Sequence, residues 1–300
     1  MELSIHRLGI FLEVIRSGSI SAAAKKLYMS QPSVSNQVRG LESSLNANLL
    51  NRSSSGATPT AAGEIVAGHA REIFELLDRI EEEVGTEQGL KTGRLAVAGT
   101  TTIGTYLLPR AFAIFSATAP GIRPELRVGN EETVVSWLLK GEVGLGIFAG
   151  EPDAEHLVST PVFDDSLILV AAPASPLADR RLTPPDLLRE RFLMREIGSA
   201  TRHLQEDALA RWNLDHVECW TMWGPDTLKE SVRAGLGLAL MSEHAAQLEL
   251  SNGLLAKLEI TPGPPSRPVS LVRKADRVLS PAESAFAELI KSFGSWPEEG

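Results

Sequence analysis

Ser17 to Arg52 reads SGSISAAAKKLYMSQPSVSNQVRGLESSLNANLLNR, and its spacing sets the architecture of the N-terminal region. Upstream of it, Leu8, Phe11, Leu12 and Ile15 recur at helical spacing, and Gly18 is placed to close that helix. A second helix is expected from about Ser19, carrying Ala22, Ala23, Ala24 and Leu27. Tyr28 and Met29 form a short break. Ser30 then caps a third helix, with Pro32 in its first turn, where a missing N–H does no harm.

The third helix carries two stripes. Val34, Val38 and Leu41 fall at i, i+4 and i+7 and must face inward. Gln31, Ser35 and Arg39 make a polar stripe with Asn36 beside it. A short helix, a tight turn and a polar-faced helix form a helix-turn-helix, whose exposed helix suits the major groove. There Gln and Asn pair with adenine, and Arg with guanine or phosphate. On the stripe alone, an ordinary surface helix with a solvated face explains the pattern equally well. Charge adds a second observation. The chain carries −9 overall, yet residues 1 to 60 hold six basic groups against three acids, a net +3. A basic head on an acidic body still binds phosphate locally, because salt confines its field to about 8 Å.

The same run resembles the N-terminus of LysR-type transcriptional regulators. The Ala pair, the SQPSVS turn and helix, and Leu41-Glu42 eight residues after Ser33 fall in register, as does TPTAAG at Thr58–Gly63. The resemblance implies that Gln31, Pro32, Ser33, Ser35 and Asn36 approach double-stranded promoter DNA, and that Arg52 on the wing reaches the backbone; the helix stripe adds Arg39. It departs in three places. Asn36 stands where the family commonly has Arg, which shifts the expected base preference toward adenine. Asn46 replaces a common Gly, a tolerable exchange because Asn accepts left-handed geometry. Ser53 to Ala57 holds no basic residue, so fewer wing contacts to phosphate are expected.

From Thr60 to about Val84 a long helix is expected. Val66, Ile73 and Ile80 repeat every seven residues, as do Leu77 and Val84, with Leu76 and His69 beside them. Acids outside this seam (Glu72, Glu75, Asp78, Glu81, Glu82) suggest pairing with a second copy; a lone amphipathic helix packed on its own domain is the alternative. Gly85 to Gly93 reads as a hinge. Beyond it, short apolar strands alternate with helices, giving an α/β rhythm with a mainly parallel sheet. Strands are expected at Leu95–Gly99, Leu126–Val128, Val143–Phe148, Leu167–Ala172, Phe192–Met194, Val217–Met222, Leu238–Met241 and Val269–Arg273.

The expected class is therefore α+β and multidomain. A winged helix-turn-helix occupies 1–59 and a linker or dimerisation helix 60–88. A two-lobed α/β effector domain of periplasmic-binding-protein type fills 89–300, with lobe I at about 92–163 and 267–300 and lobe II at about 164–266. The family resemblance covers essentially the whole chain and implies a homodimer, extending to a homotetramer, with RNA polymerase as a further partner.

Open α/β sheets bind ligands at the carboxyl ends of strands, where helix N-termini present N–H groups. Thr100, Thr101 and Thr102 occupy such a point, and so do Gly198, Ser199, Ala200, Thr201 and Arg202. Each segment also reads as a plain helix cap. Two caps facing across a cleft, with Arg202 adjacent, suggest a site for a small anionic metabolite. The resemblance implies that the effector touches Thr100, Thr102 and Thr201, and that Phe148, Gly150 and the segment from Trp223 to Thr227 approach it. The REIGSATR run resembles a branch that regulates carbon-fixation operons and sulfur assimilation. One basic residue favours a monoanion or small dianion, or an aromatic acid against Phe148 and Trp223.

Other classes find little support. No GxSxG elbow appears, GLGLAL at Gly235 lacks the third glycine of a dinucleotide loop, and no carboxylate pair stands out. Six scattered histidines and one cysteine argue against a metal or other cofactor. Cys219, inside an apolar stretch, is expected to be a buried structural thiol. The N-terminus lacks the pattern of an export signal, and no apolar run is long enough for a membrane span, so a cytoplasmic protein is expected. A solute-binding protein remains the alternative for residues 94 to 300, though it leaves the first 90 unexplained.

Overall fold

A computed structural model describes residues 3–53, 56–86 and 93–297, without the side chains of 75, 78, 79 and 81–86. The chain divides into two compact units, Met1–Val84 and Gly85–Gly300.

The first unit holds α1 (Ile5–Ser17), α2 (Ile20–Lys26), α3 (Gln31–Leu45), a two-stranded wing of β1 (Leu50–Ser53) and β2 (Gly56–Pro59), and α4 (Ala61–Thr86). Its helix ends follow local chemistry. Gly18 closes α1 in left-handed geometry, the Ser19 and Ser30 hydroxyls cap α2 and α3, and Asn46 ends α3 at φ 49°. Val34, Val38 and Leu41 are wholly buried with Phe11 and Val14. Each such side chain contributes about 1.5–3 kcal/mol. On α4, Ala67 and Ala70 join this core, whereas Ile65, Ile73, Leu76 and Ile80 remain exposed. The seam residue Val84 and the acids Glu75, Asp78, Glu81 and Glu82 have side chains outside the described set, as does most of the expected hinge.

The second unit runs β3 (Gly93–Thr100), α5 (Thr101–Tyr106), α6 (Leu108–Thr118), β4 (Ile122–Gly129), α7 (Glu131–Leu139), β5 (Leu145–Ala149) and β6 (Leu157–Ala171). It continues through β7 (Arg181–Leu182), β8 (Phe192–Arg195), α8 (Ala200–Arg211), β9 (Cys219–Met222), α9 (Pro225–Arg233) and β10 (Ala239–Ser242). The last elements are α10 (Glu243–Ser251), β11 (Ala256–Ile260), β12 (Ser266–Lys274) and α11 (Pro281–Lys291). The sheet is mixed where a mainly parallel one was expected. In it β3 pairs parallel with β4 and β5, but β6 and β12 run antiparallel to each other and to their other neighbours, while β8 and β9 form a separate parallel pair. These two long strands cross between lobes, which forces the reversal. β6 also begins ten residues before the apolar run Leu167–Ala172 that announced it, because its first half alternates in exposure.

Strand alternation distributes side chains between two cores in lobe I. Leu145, Ile147 and Ala149 face α6 and α11, whereas Phe148 packs with Ala98, Val134, Leu138, Val143 and Val272. In lobe II the strands lie between α8 on one side and α9 and α10 on the other. Cys219 departs from its expected burial: it lies on β9, whose first three residues are exposed, and its thiol is free and exposed. Among the described residues no helix is long and apolar enough to cross a membrane.

Candidate functional site

Two sites follow from the fold, one in each unit. On α3, Gln31, Pro32, Asn36 and Arg39 are exposed, and Ser33 and Ser35 are partly exposed. Among the described residues, the Gln31 and Asn36 side chains make no hydrogen bond within the protein, which leaves their amides free. The Ser35 hydroxyl accepts from Arg39 Nη2 at 3.0 Å and from Arg52 Nη1 at 3.3 Å. Arg52 also donates to Glu42 Oε2 at 3.0 Å, while Glu42 Oε1 accepts the Leu49 N–H at 3.0 Å. The wing arginine is thus held against the polar-faced helix. Glu42, read in the sequence only as part of the matching Leu41-Glu42 pair, is thereby a positioning residue for Arg52.

The second site lies where the two lobes meet. Thr100 ends β3, and its hydroxyl accepts the Ala149 N–H at 3.1 Å, tying two strand ends together. A side chain at Gly99 would collide with the Gly104 backbone at 2.9 Å, so glycine there lets α5 start directly on the strand. Across the cleft, Gly198 takes φ 83° to turn the chain from β8 into α8. Thr100, Thr101, Thr102, Asn130, Glu131, Ala149, Ser199, Ala200 and Thr201 line one partly open recess. Thr102 and Thr201 also line an adjoining recess with Arg195, Lys229, Met241 and Ser242.

Thr102 and Ser199 are each more than nine-tenths buried. Neither hydroxyl has a hydrogen-bond partner among the described residues. Arg195 is only 1% exposed; its Nε and Nη2 hold the Glu196 carboxylate at 2.8 and 2.6 Å. Among the described residues its Nη1 has no hydrogen-bond partner. Burial would raise the Glu196 pKa, but Arg195 and the Gly224 N–H outweigh it and hold the group below its ordinary value. Lys229 reaches Glu249 at 2.8 Å, and although burial alone would lower its pKa, Glu249 and Tyr106 more than reverse that. Tyr106 bridges the lobes through its hydroxyl to Asp226 at 2.7 Å, and burial together with that bond pushes its pKa up to about 12.

Beneath the cleft, at the strand crossover, Asp165 and Arg267 are register partners and almost wholly buried. Arg267 donates to Asp165 Oδ2 at 3.0 and 2.9 Å and to the Thr201 hydroxyl at 3.1 Å. Ser242 donates to Asp165 Oδ1 at 2.6 Å. The pair therefore fixes the start of α8 and the end of β10 as one floor.

Several expected positions lie elsewhere. Arg202 turns away from the recesses, its Nε on Glu206 at 2.6 Å and its Nη1 on the Arg195 carbonyl at 3.1 Å. The guanidinium that reaches the recess belongs to Arg195, the first residue of the REIGSATR run. Phe148 is in the apolar core described above, because strand alternation points it behind the sheet. Gly150 donates to the Pro268 carbonyl at 2.7 Å, and Trp223 (76% exposed) and Thr227 are solvent-facing; none of the three lines either of these two recesses.

A family model for the bacterial regulatory helix-turn-helix protein, lysR family, matches residues 5–64, and one for the LysR substrate binding domain matches 88–294. The chain belongs to the LysR-type family of transcriptional regulators. This regulator is 34% identical over 293 residues to the RuBisCO operon transcriptional regulator of Allochromatium vinosum, covering 97% of each chain. It is 32% identical over 296 residues to the HTH-type transcriptional regulator CbbR of Sinorhizobium medicae, covering 98% of this chain and 94% of that one. Full-length OxyR of Pseudomonas aeruginosa shares the fold, with a TM-score of 0.77 at 20% identity over 97% of this chain and 96% of that one. The regulatory domain of CcmR from Synechocystis, in complex with 2-PG, matches with a TM-score of 0.62 at 28% identity, covering 67% of this chain and 97% of that one. The chain is thus a DNA-binding transcriptional regulator with an effector-binding domain, and not an enzyme. The solute-binding alternative falls, because the first 90 residues that it left unexplained carry the DNA-binding match.

Proposed function

We propose that this regulator senses a small anion held between the two lobes, and that the anion sets its affinity for promoter DNA. The reading rests on one observation: the Thr102 and Ser199 hydroxyls and Arg195 Nη1 converge, without protein partners, on two adjoining recesses. These donors have no protein partner among the described residues and are not occluded from solvent, so a polar ligand in the recess can replace water on them. The 2-PG complex of the CcmR regulatory domain supports the same ligand class. A thermal-shift screen with sulfate, sulfite, phosphorylated sugars, aromatic carboxylates and 2-PG tests it. A ligand at 100 times its Kd stabilises by about 2.7 kcal/mol. The shift should vanish in Thr102→Val with Ser199→Ala; a hit that survives both changes would put the effector elsewhere.

In this reading Gln31 and Asn36 contact bases, Arg39 contacts a base or phosphate, and Arg52 contacts the backbone. Ile73, Leu76 and Ile80 form an exposed apolar stripe on α4, which suits pairing with a second copy. Ile73→Glu with Ile80→Glu should shift the chain toward monomer in sedimentation and weaken operator binding at least tenfold. An unchanged sedimentation profile would place the dimer contact off α4. Lobe closure around the anion would change the spacing of two recognition helices, and only differential affinity for the two arrangements can drive that. RNA polymerase and a cytoplasmic setting belong to the same proposal.

A further inference from the structure

One group in the cleft conflicts with a site for a bare anion. Glu131, the first residue of α7, lines the same recess as Thr102 and Ser199 and is partly buried. Among the described residues its carboxylate makes no hydrogen bond or ion pair. Burial raises its pKa, opposed by the charge of His203 on α8 across the cleft. A helix-start role does not account for this placement. The Asn130 side chain already caps α7 by accepting the Thr133 N–H at 2.9 Å, and Glu132, exposed, supplies the favourable acid in the first turn. An acid whose only task was the helix dipole would face water, where its charge is least disfavoured.

A simple anion seated on the free hydroxyls would meet this carboxylate at close quarters. A ligand that also bears a donor turns the conflict into a contact, because an ionised carboxylate accepts strongly and cannot donate. We propose that the effector is an anion that also carries a hydroxyl or ammonium group, and that Glu131 is the acceptor for that group. The inference rests on the reading of the cleft as an anion site and narrows its ligand class. Glu131 then works as a selector: donor-less oxyanions are repelled, and hydroxylated or aminated ones are held at both ends.

Three sulfonates on the same two-carbon chain test it: ethanesulfonate, 2-hydroxyethanesulfonate and 2-aminoethanesulfonate. All keep the same negative group and differ in the terminal donor, which in 2-aminoethanesulfonate also carries a positive charge. Binding to the full-length protein is measured by calorimetry. The hydroxy and amino compounds should bind roughly ten- to a hundredfold tighter than ethanesulfonate, the range expected for a hydrogen bond to a charged group. In Glu131→Ala the preference should fall to about twofold and ethanesulfonate should gain, as expected for loss of a charged acceptor. Glu131→Gln, nearly isosteric, should keep part of the hydroxyl preference and lose more of the ammonium preference. Equal binding of all three to the wild type, or an unchanged preference in Glu131→Ala, overturns the donor assignment alone, provided that binding still weakens in Ser199→Ala. Absence of binding by all three, or binding indifferent to Ser199→Ala, overturns the anion site and the donor assignment with it.

Discussion

Arg267→Met will destabilise the effector-binding unit by about 3–5 kcal/mol, the loss typical when one member of a buried ion pair is removed. The size follows from what stays behind. Asp165 is wholly buried, and without Arg267 its carboxylate keeps, among the described residues, the Ser242 hydroxyl alone. The desolvation of that charge is then uncompensated. Thr201 also loses its partner, so the start of α8 loosens and the cleft floor with it. Replacing both residues, Asp165→Leu with Arg267→Met, should recover most of the stability, because an apolar pair of similar volume removes the stranded charge. The double variant should still bind anion poorly, since Thr201 and Ser242 are no longer fixed. All five tryptophans lie in this unit, at 137, 212, 220, 223 and 296, so their fluorescence on heating or in urea reports it alone. A loss below about 1 kcal/mol, the level of a surface ion pair, would show that the crossover pair does not hold the two lobes together.

Asn36→Ala with Arg39→Ala should abolish discrimination between operator and random DNA. Each side chain that reads a base contributes about 1–3 kcal/mol of discrimination. Both residues are exposed on α3, where truncation leaves Val34, Val38 and Leu41 untouched, so the fold should survive. Arg52→Ala should behave differently. Its guanidinium is braced by Glu42 and Ser35 beside the helix, which suits a phosphate contact. Affinity should then fall about equally for all sequences, and the salt dependence should drop by about one counterion. Fluorescence anisotropy at several salt concentrations separates the two outcomes. Specific binding that survives the double change would move the reading surface off α3.

The sequence stated some of this plainly and hid the rest. Val34, Val38 and Leu41 were legible because helical spacing and burial are local rules, and so were the cap at Ser30 and the helix stop at Gly18. Thr102 and Ser199 were legible from their places after strands. Arg195 was not, since nothing local tells a buried guanidinium from an exposed one; its partner Glu196 is adjacent in sequence, yet the burial comes from the surrounding fold. Arg202 misled for the same reason, because an acid one turn along, Glu206, draws it off the cleft. Asp165 and Arg267 lie a hundred residues apart and meet only when β6 and β12 cross. Phe148 was misplaced by one strand position, which in a sheet means the opposite face.

The most direct test of the central claim is selection of bound duplexes from a random DNA pool by the full-length protein, with and without the anion identified by thermal shift. The account predicts enrichment of two similar half-sites whose centres lie about one helical turn apart or a multiple of it. It predicts a change in their spacing or affinity when the anion is present, and no enrichment by Asn36→Ala with Arg39→Ala. A pool that shows no common sequence with the wild-type protein, or the same sequence with the double variant, would contradict it.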